Sequence, residues 1–188
     1  RLNAISNKPL QVSINRSALE FELLNDESDP LFDLVTQLGF DPSYLCIEVT
    51  ESLMLKNPEK AEASLNRLRK HGFSLSIDDF GKGYSNLAYL RDIEIDSIKI
   101  DKSFIMQIDQ SPVNRAIVEA SQLIAKAANC EVVAEGIETI QHLHILRKIG
   151  VVSGQGFLFS KAIPINDFVA LANKDMTVGS SFVREHQI

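Results

Sequence analysis

Three things are scarce in this sequence, and each scarcity argues against a class of protein. Cysteine occurs only twice in 188 residues, as Cys46 and Cys130. Both sit in or beside apolar, strand-like runs without metal-ligand spacing. They read as small buried hydrophobes in a reducing compartment, which favours the cytoplasm. Long apolar runs are missing too. None approaches the roughly 18 residues that cross a bilayer, and the opening stretch RLNAISNKPL lacks the apolar core of a signal peptide. Positive charge is the third shortage. Lys and Arg number 19 against 25 Asp and Glu, for a net charge of −6. No basic stripe interleaves with aromatics, so nucleic acid held by charge is not expected. A phosphate ester bound here needs another source of positive charge, and metal ions are the obvious one.

What the sequence does contain is a regular alternation of strand and helix. A hydrophobic content of 45% supports one domain with a real core, and no linker or low-complexity stretch divides it. Leu10–Asn15, Leu45–Thr50, Ser74–Asp79, Ser97–Asp101, Glu131–Glu135 and Val151–Gln155 read as strands. Asp29 caps a helix that has Pro30 at its first position and stops at Gly39. Asn57-Pro58 opens a second helix, ended by Gly72, and a short one runs through Leu87, Leu90 and Ile93. Ser111-Pro112 starts a long helix, another surrounds Leu143 and Leu146, and Pro164 precedes a last one through Phe168 and Leu171. The histidines carry no ligand spacing and are expected at the surface.

Consecutive strand–helix units imply a parallel sheet. Along each strand one parity is apolar: Val12 and Ile14, Ile47 and Val49, Leu75 and Ile77, Ile98 and Ile100, Val132 and Ala134. The other parity is largely polar and ends in Asn15, Glu48, Asp78, Lys99, Asp101 or Glu135. Alternate side chains point to opposite faces, so one face meets helices while the other gathers polar groups at strand C-termini. A doubly wound sheet, covered on both faces, would show near-continuous apolar strands instead. The pattern predicts a TIM-like (β/α)8 barrel whose active site lies at the C-terminal mouth. About six units are represented and the first two are missing. With Arg1 in place of an initiator methionine, the chain is expected to be one domain over residues 1–188, truncated at its N-terminus.

The strand-end set is Asn15, Glu48, Asp78, Asp79, Lys99, Asp101, Glu135 and Gln155. Several acids meeting at one mouth repel unless protonated or neutralised by metal. Carboxylates with one amide are hard oxygen donors suited to magnesium or manganese. The adjacent Asp78 and Asp79 could serve two ions, and two metals about 3.5–4 Å apart clamp a phosphodiester and activate water. Taken singly, a strand-end acid is more often a cap, Asn15 a turn residue, and Lys99 a partner for Asp101 two positions along. The recurrence of the pattern at successive strands is what favours a site. The segment GKGYSN (Gly81–Asn86) lacks the third glycine of a dinucleotide loop and follows an acidic strand end. It reads as a loop over the mouth.

The motifs VSIN (Val12–Asn15), EVTES (Glu48–Ser52), DDFGKGYSNLAYL (Asp78–Leu90), KIDKSF (Lys99–Phe104), VVAEGIET (Val132–Thr139) and QGFLFS (Gln155–Ser160) resemble, in order and spacing, the signatures of the EAL phosphodiesterase family. The resemblance implies hydrolysis of cyclic di-GMP to linear pGpG in bacterial second-messenger signalling, with two Mg2+ or Mn2+ ions. It implies Asn15, Glu48, Asp78, Asp79 and Glu135 as metal ligands and Asp101 beside the second metal. It implies Lys99 at the attacking water, Glu135 also as a general-base candidate, and Gln155 as a supporting polar residue. Glu51 and Glu138 match supporting acids, the first anchoring the loop after Asp79 that contains Gly81, Gly83 and Ser85. That loop resembles the family's dimer-linked switch element. A homodimer and upstream sensory or GGDEF (diguanylate cyclase) domains are the implied partners. The sequence departs from the pattern at Lys82 and Asn86, where Thr and Ser are usual, and at Ala162, usually Pro. The Glu-Ala-Leu motif itself is expected upstream of Arg1. Its glutamate separates active hydrolysis from the alternative, an inactive EAL module that binds cyclic di-GMP or a protein partner.

Overall fold

Side chains that satisfy free backbone amides set where the helices start. In a computed structural model, which describes residues 10–23, 29–56, 58–83, 87 and 89–168, Asp29 accepts from the amide of Leu31 at the start of α2 (Pro30–Gln37). The Ser111 hydroxyl accepts from Asn114 at the start of α7 (Pro112–Ala127), and Thr139 accepts from His142 at the start of α8 (Ile140–Ile149). The other helices are α1 (Ala18–Leu23), α3 (Glu51–Lys56), α4 (Pro58–Lys70), α5 (Tyr89–Asp92) and α6 (Lys102–Ile105). Residues 165–168 are also helical. Asn57 and Leu171, named above as helix residues, lie outside the described residues.

Six strands, β1 (Val12–Arg16), β2 (Leu45–Thr50), β3 (Ser74–Phe80), β4 (Ser97–Ile100), β5 (Glu131–Glu135) and β6 (Ser153–Gln155), form one sheet in sequence order. Every pairing is parallel. Sequential order with helical crossovers curls the sheet into half of a barrel, with β1 and β6 as its edges among the described residues. The apolar parity falls where the alternation predicts. Ile47, Ile77, Ile98, Ile100 and Ala134 are completely buried, and each large side chain among them contributes about 1.5–3 kcal/mol through burial. The edge strand β1 is the exception, with Val12 42% exposed.

Two sequence expectations change. Asp101 does not extend β4; it turns out of the strand and caps α6, accepting from the amide of Ser103 at 2.9 Å. His142 is buried rather than at the surface, and its Nδ1 accepts from the amide of Glu138. Among the described residues both cysteines are free thiols, Cys46 buried and Cys130 half-buried. Burial, reinforced by the charge of Glu48, pushes the Cys46 thiol up to about 11, so it stays protonated and unreactive at neutral pH.

Candidate active site

Lys99 stands in the middle of β4, and the pleat turns its side chain onto the concave face, 8% exposed. Three neighbouring strands bring a carboxylate to its ammonium: Glu48 of β2 at 2.7 Å, Asp78 of β3 at 3.4 Å and Glu135 of β5 at 2.8 Å. Burial works against the charge on Lys99, but Glu135 and Glu48 hold it protonated well above the usual lysine range. For Glu135 the balance runs the other way. Burial raises its carboxyl above the usual range, helped by the charges of Asp78 and Glu48, and Lys99 only partly offsets this. Gln155 of β6 donates its Nε2 to Glu135 Oε1 at 2.8 Å. Asn15 lies on β1 in register with Glu48 and is exposed. The concave face encloses a cavity of about 460 Å³ whose lining includes Ser13, Glu48, Ser76, Lys99 and Gln155.

A second charged group forms beside the first. The β3–β4 register shifts between Ile77 and Phe80, and Asp79 adopts a left-handed backbone with φ of 56°. Such an irregularity re-aims the side chains it carries. The Asp79 amide donates to Asp78 Oδ1 at 3.0 Å. The Lys82 ammonium lies 2.9 Å from Asp79 Oδ1 and 2.8 Å from Asp101 Oδ2. Burial alone would raise the Asp101 carboxyl, but hydrogen bonds from Lys82 and Ser103 hold it down at about 2. Lys99 therefore does not pair with Asp101, as intra-strand spacing suggested. Lys82 does, and its three-residue offset from Asp79 was the available clue.

The loop after β3 touches its expected anchor. A Cβ on Gly83 would lie 3.3 Å from Glu51 Oε2, and Glu51 is buried with neither carboxylate oxygen hydrogen-bonded among the described residues. Tyr89 Oη is likewise buried without a partner, and its hydroxyl is raised by burial and then by the charge of Glu51. Gly81 turns the chain with φ of 92°, its Cβ position 3.2 Å from Phe104. Ser85 lies outside the described residues. Glu138 is exposed, and its amide donates to His142 Nδ1.

The ends of β5 and β6 are joined by backbone. Ile137 donates to the Gln155 carbonyl at 3.0 Å, and Leu158 donates to the Ile137 carbonyl at 2.9 Å. Any Cβ on Gly156 would overlap the Ile137 main chain, so only glycine allows this approach.

Among the described residues no group of three or more His, Cys, Asp or Glu is spaced to hold a metal ion. The donor chemistry nonetheless suits a hard cation: carboxylates from three strands already meet within 3.4 Å of one positive charge.

Residues 1–162 match the model of the EAL domain. The chain is 43% identical over 137 residues to the cyclic di-GMP phosphodiesterase NbdA of Pseudomonas aeruginosa, covering 73% of this chain and 18% of that protein. Two solved structures share its fold. The EAL enzyme Bd1971, in its cAMP and cyclic di-GMP bound form, superposes with a TM-score of 0.81 and 37% identity over 86% of this chain and 43% of that one. Klebsiella pneumoniae BlrP1, in a manganese and cyclic di-GMP complex, gives 0.76 and 33% over 85% and 41%. The chain spans between 18% and 31% of the curated relatives it matches. Its half-barrel is an α/β TIM-like fold, and the chain belongs to the EAL domain family.

Proposed function

We propose that this chain is the C-terminal part of an EAL domain that hydrolyses cyclic di-GMP to linear pGpG with two divalent ions, magnesium or manganese. The observation that carries the reading is the meeting of Glu48, Asp78 and Glu135, from three strands, on Lys99. NbdA is named a cyclic di-GMP phosphodiesterase, and BlrP1 holds manganese with cyclic di-GMP; both support carrying that substrate and cofactor over. Asn15, Glu48, Asp78, Asp79 and Glu135 are the residues that would hold the ions. When bound, the ions supply Lewis acidity at the phosphate and make the attacking water easier to deprotonate.

The chain's own groups do the rest. Lys99 donates to the water or to a phosphate oxygen and so fixes the line of attack. Glu135, with its proton affinity raised by burial, takes the proton of the water. Gln155 holds one oxygen of that carboxylate, leaving the other to work. One P–O bond forms to the water oxygen, one P–O bond of the cyclic diester breaks, and the departing sugar oxygen gains a proton from solvent. Asp101, fixed by Ser103, stands at the rim of this site.

Two strand–helix units N-terminal to β1 would close the barrel, and the open edges at β1 and β6 support that view of residues 1–188. No described helix is long and apolar enough to cross a membrane, and free thiols suit a cytoplasmic setting. A homodimer fits α7, where Val113 and Leu123 are 67% and 70% exposed on an arc shared with Ala116, Ala120 and Ala127. Sensory or GGDEF domains upstream are the further partners of this reading. The deciding experiment assays the full chain, with any upstream domains, against cyclic di-GMP. Asp78→Asn should lower metal-dependent cleavage by about 10³-fold; full activity in that variant sinks the assignment. Binding without cleavage in the unsubstituted protein identifies the inactive module instead.

A further inference from the structure

Lys82 departs from the family pattern, and its ammonium sits directly on two acids at the rim of the site. It lies 2.9 Å from Asp79 Oδ1 and 2.8 Å from Asp101 Oδ2, the lengths of charge-assisted hydrogen bonds. We propose that Lys82 is a tethered cation competing with a divalent metal ion for Asp79 and Asp101, so that it sets how readily the weaker of two ions binds. The inference rests on the reading of Asp79 as a metal ligand.

Four features carry it. First, the tether is local: the Lys82 amide closes a turn on the Asp79 carbonyl at 3.2 Å, and Gly81 with its φ of 92° makes that turn possible. A competitor three residues away acts at a high effective concentration and does not dilute. Second, both oxygens of Asp101 are already engaged. Its Oδ1 accepts from the Ser103 amide, its Oδ2 accepts from Lys82, and its side chain is only 4% exposed. Another cation at Asp101 meets the ammonium already bound to Oδ2. Third, two positive centres on one carboxylate pair repel, so the ammonium weakens the hold of a metal ion there. Fourth, Lys82 can leave. Its side chain is 49% exposed, so it can swing into water without the desolvation that confines Lys99. The threonine usual at this position has neither the reach nor the charge to do any of this.

Mn2+ titrations of the full chain by calorimetry test the proposal, comparing the unsubstituted protein with Lys82→Met, Lys82→Arg and Asp79→Asn. Lys82→Met should tighten the weaker binding step by roughly tenfold and leave the tighter step unchanged. Lys82→Arg, which keeps the charge, should leave the weaker step weak. If Lys82→Met titrates like the unsubstituted protein while Asp79→Asn loses the weaker step, Asp79 is a ligand and Lys82 does not compete. If Asp79→Asn also titrates unchanged, the ligand reading of Asp79 falls and takes the proposal with it. Lys82 is half-exposed, and circular dichroism of the variant checks that folding is intact.

Discussion

Two lysines hold the acids of this site, and they do so in different ways. Lys99 belongs to β4, and the two flanking strands, β3 and β5, with β2 one strand further on, each send one carboxylate inward. The sheet decides where its ammonium goes. Lys82 belongs to a turn, is half in water, and meets Asp79 through a three-residue bend and Asp101 across to the start of α6. Both pairings are short in distance, yet their energetics should differ. A buried ion cluster that loses one member leaves the others without solvent to take its place. In the outer group water already reaches Lys82 and Asp79, and only Asp101 is buried, so less is lost with the lysine. The inner cluster is therefore scaffolding as well as chemistry, and the outer one is adjustable.

Substitutions can break or sharpen that contrast. The largest expected effect is on the inner group: Lys99→Met should destabilise the fold by about 3–5 kcal/mol in urea unfolding, because Glu48, Asp78 and Glu135 are left facing one another. Added millimolar Mn2+ should restore part of that loss, which a purely structural lysine would not show. Next, Gln155→Leu should lower kcat roughly tenfold with KM little changed in steady-state assays, because it frees Glu135 without touching the substrate. Smallest is Lys82→Met, expected to cost less than Lys99→Met in the same urea experiment, because Asp101 keeps the Ser103 amide and Asp79 is open to water. A loss there equal to that of Lys99→Met would erase the distinction between the two lysines.

Acid titration should separate the groups by sign. The Asp101 carboxyl is held down at about 2 from its ordinary 3.8. Its contribution to stability is complete above about pH 4 and is lost as pH falls towards 2. The Glu135 carboxyl is raised from 4.5, so its contribution is complete below that value and is lost as pH rises through the raised one. Urea midpoints of Asp101→Asn and Glu135→Gln, followed from pH 2 upward, should diverge from the unsubstituted protein in opposite directions.

Much of the fold was legible because β-branched alternation and helix caps are local signals. Ile47 with Val49 and Ile98 with Ile100 announce the buried parity, and Asp29-Pro30 and Ser111-Pro112 mark helix starts that the structure reproduces. The convergence of Glu48, Asp78 and Glu135 was legible as a strand-end pattern. Their partner was not. Lys99 pairs across strands, because Asp101 leaves the strand to cap α6. The Lys82 contact was hidden for another reason: it depends on a left-handed Asp79, which residue type alone does not announce. His142 misled because a lone helical histidine gives no sign that its ring closes a backbone amide.

The glycine pressed against Ile137 has a mechanical consequence. Because no side chain separates the two backbones there, the segments leaving β5 and β6 are riveted together rather than merely adjacent. Gln155 and Glu135 sit immediately before that rivet, one on each strand. A pull on the chain beyond β6 is thus transmitted to Glu135 directly, without first deforming the hydrophobic interior.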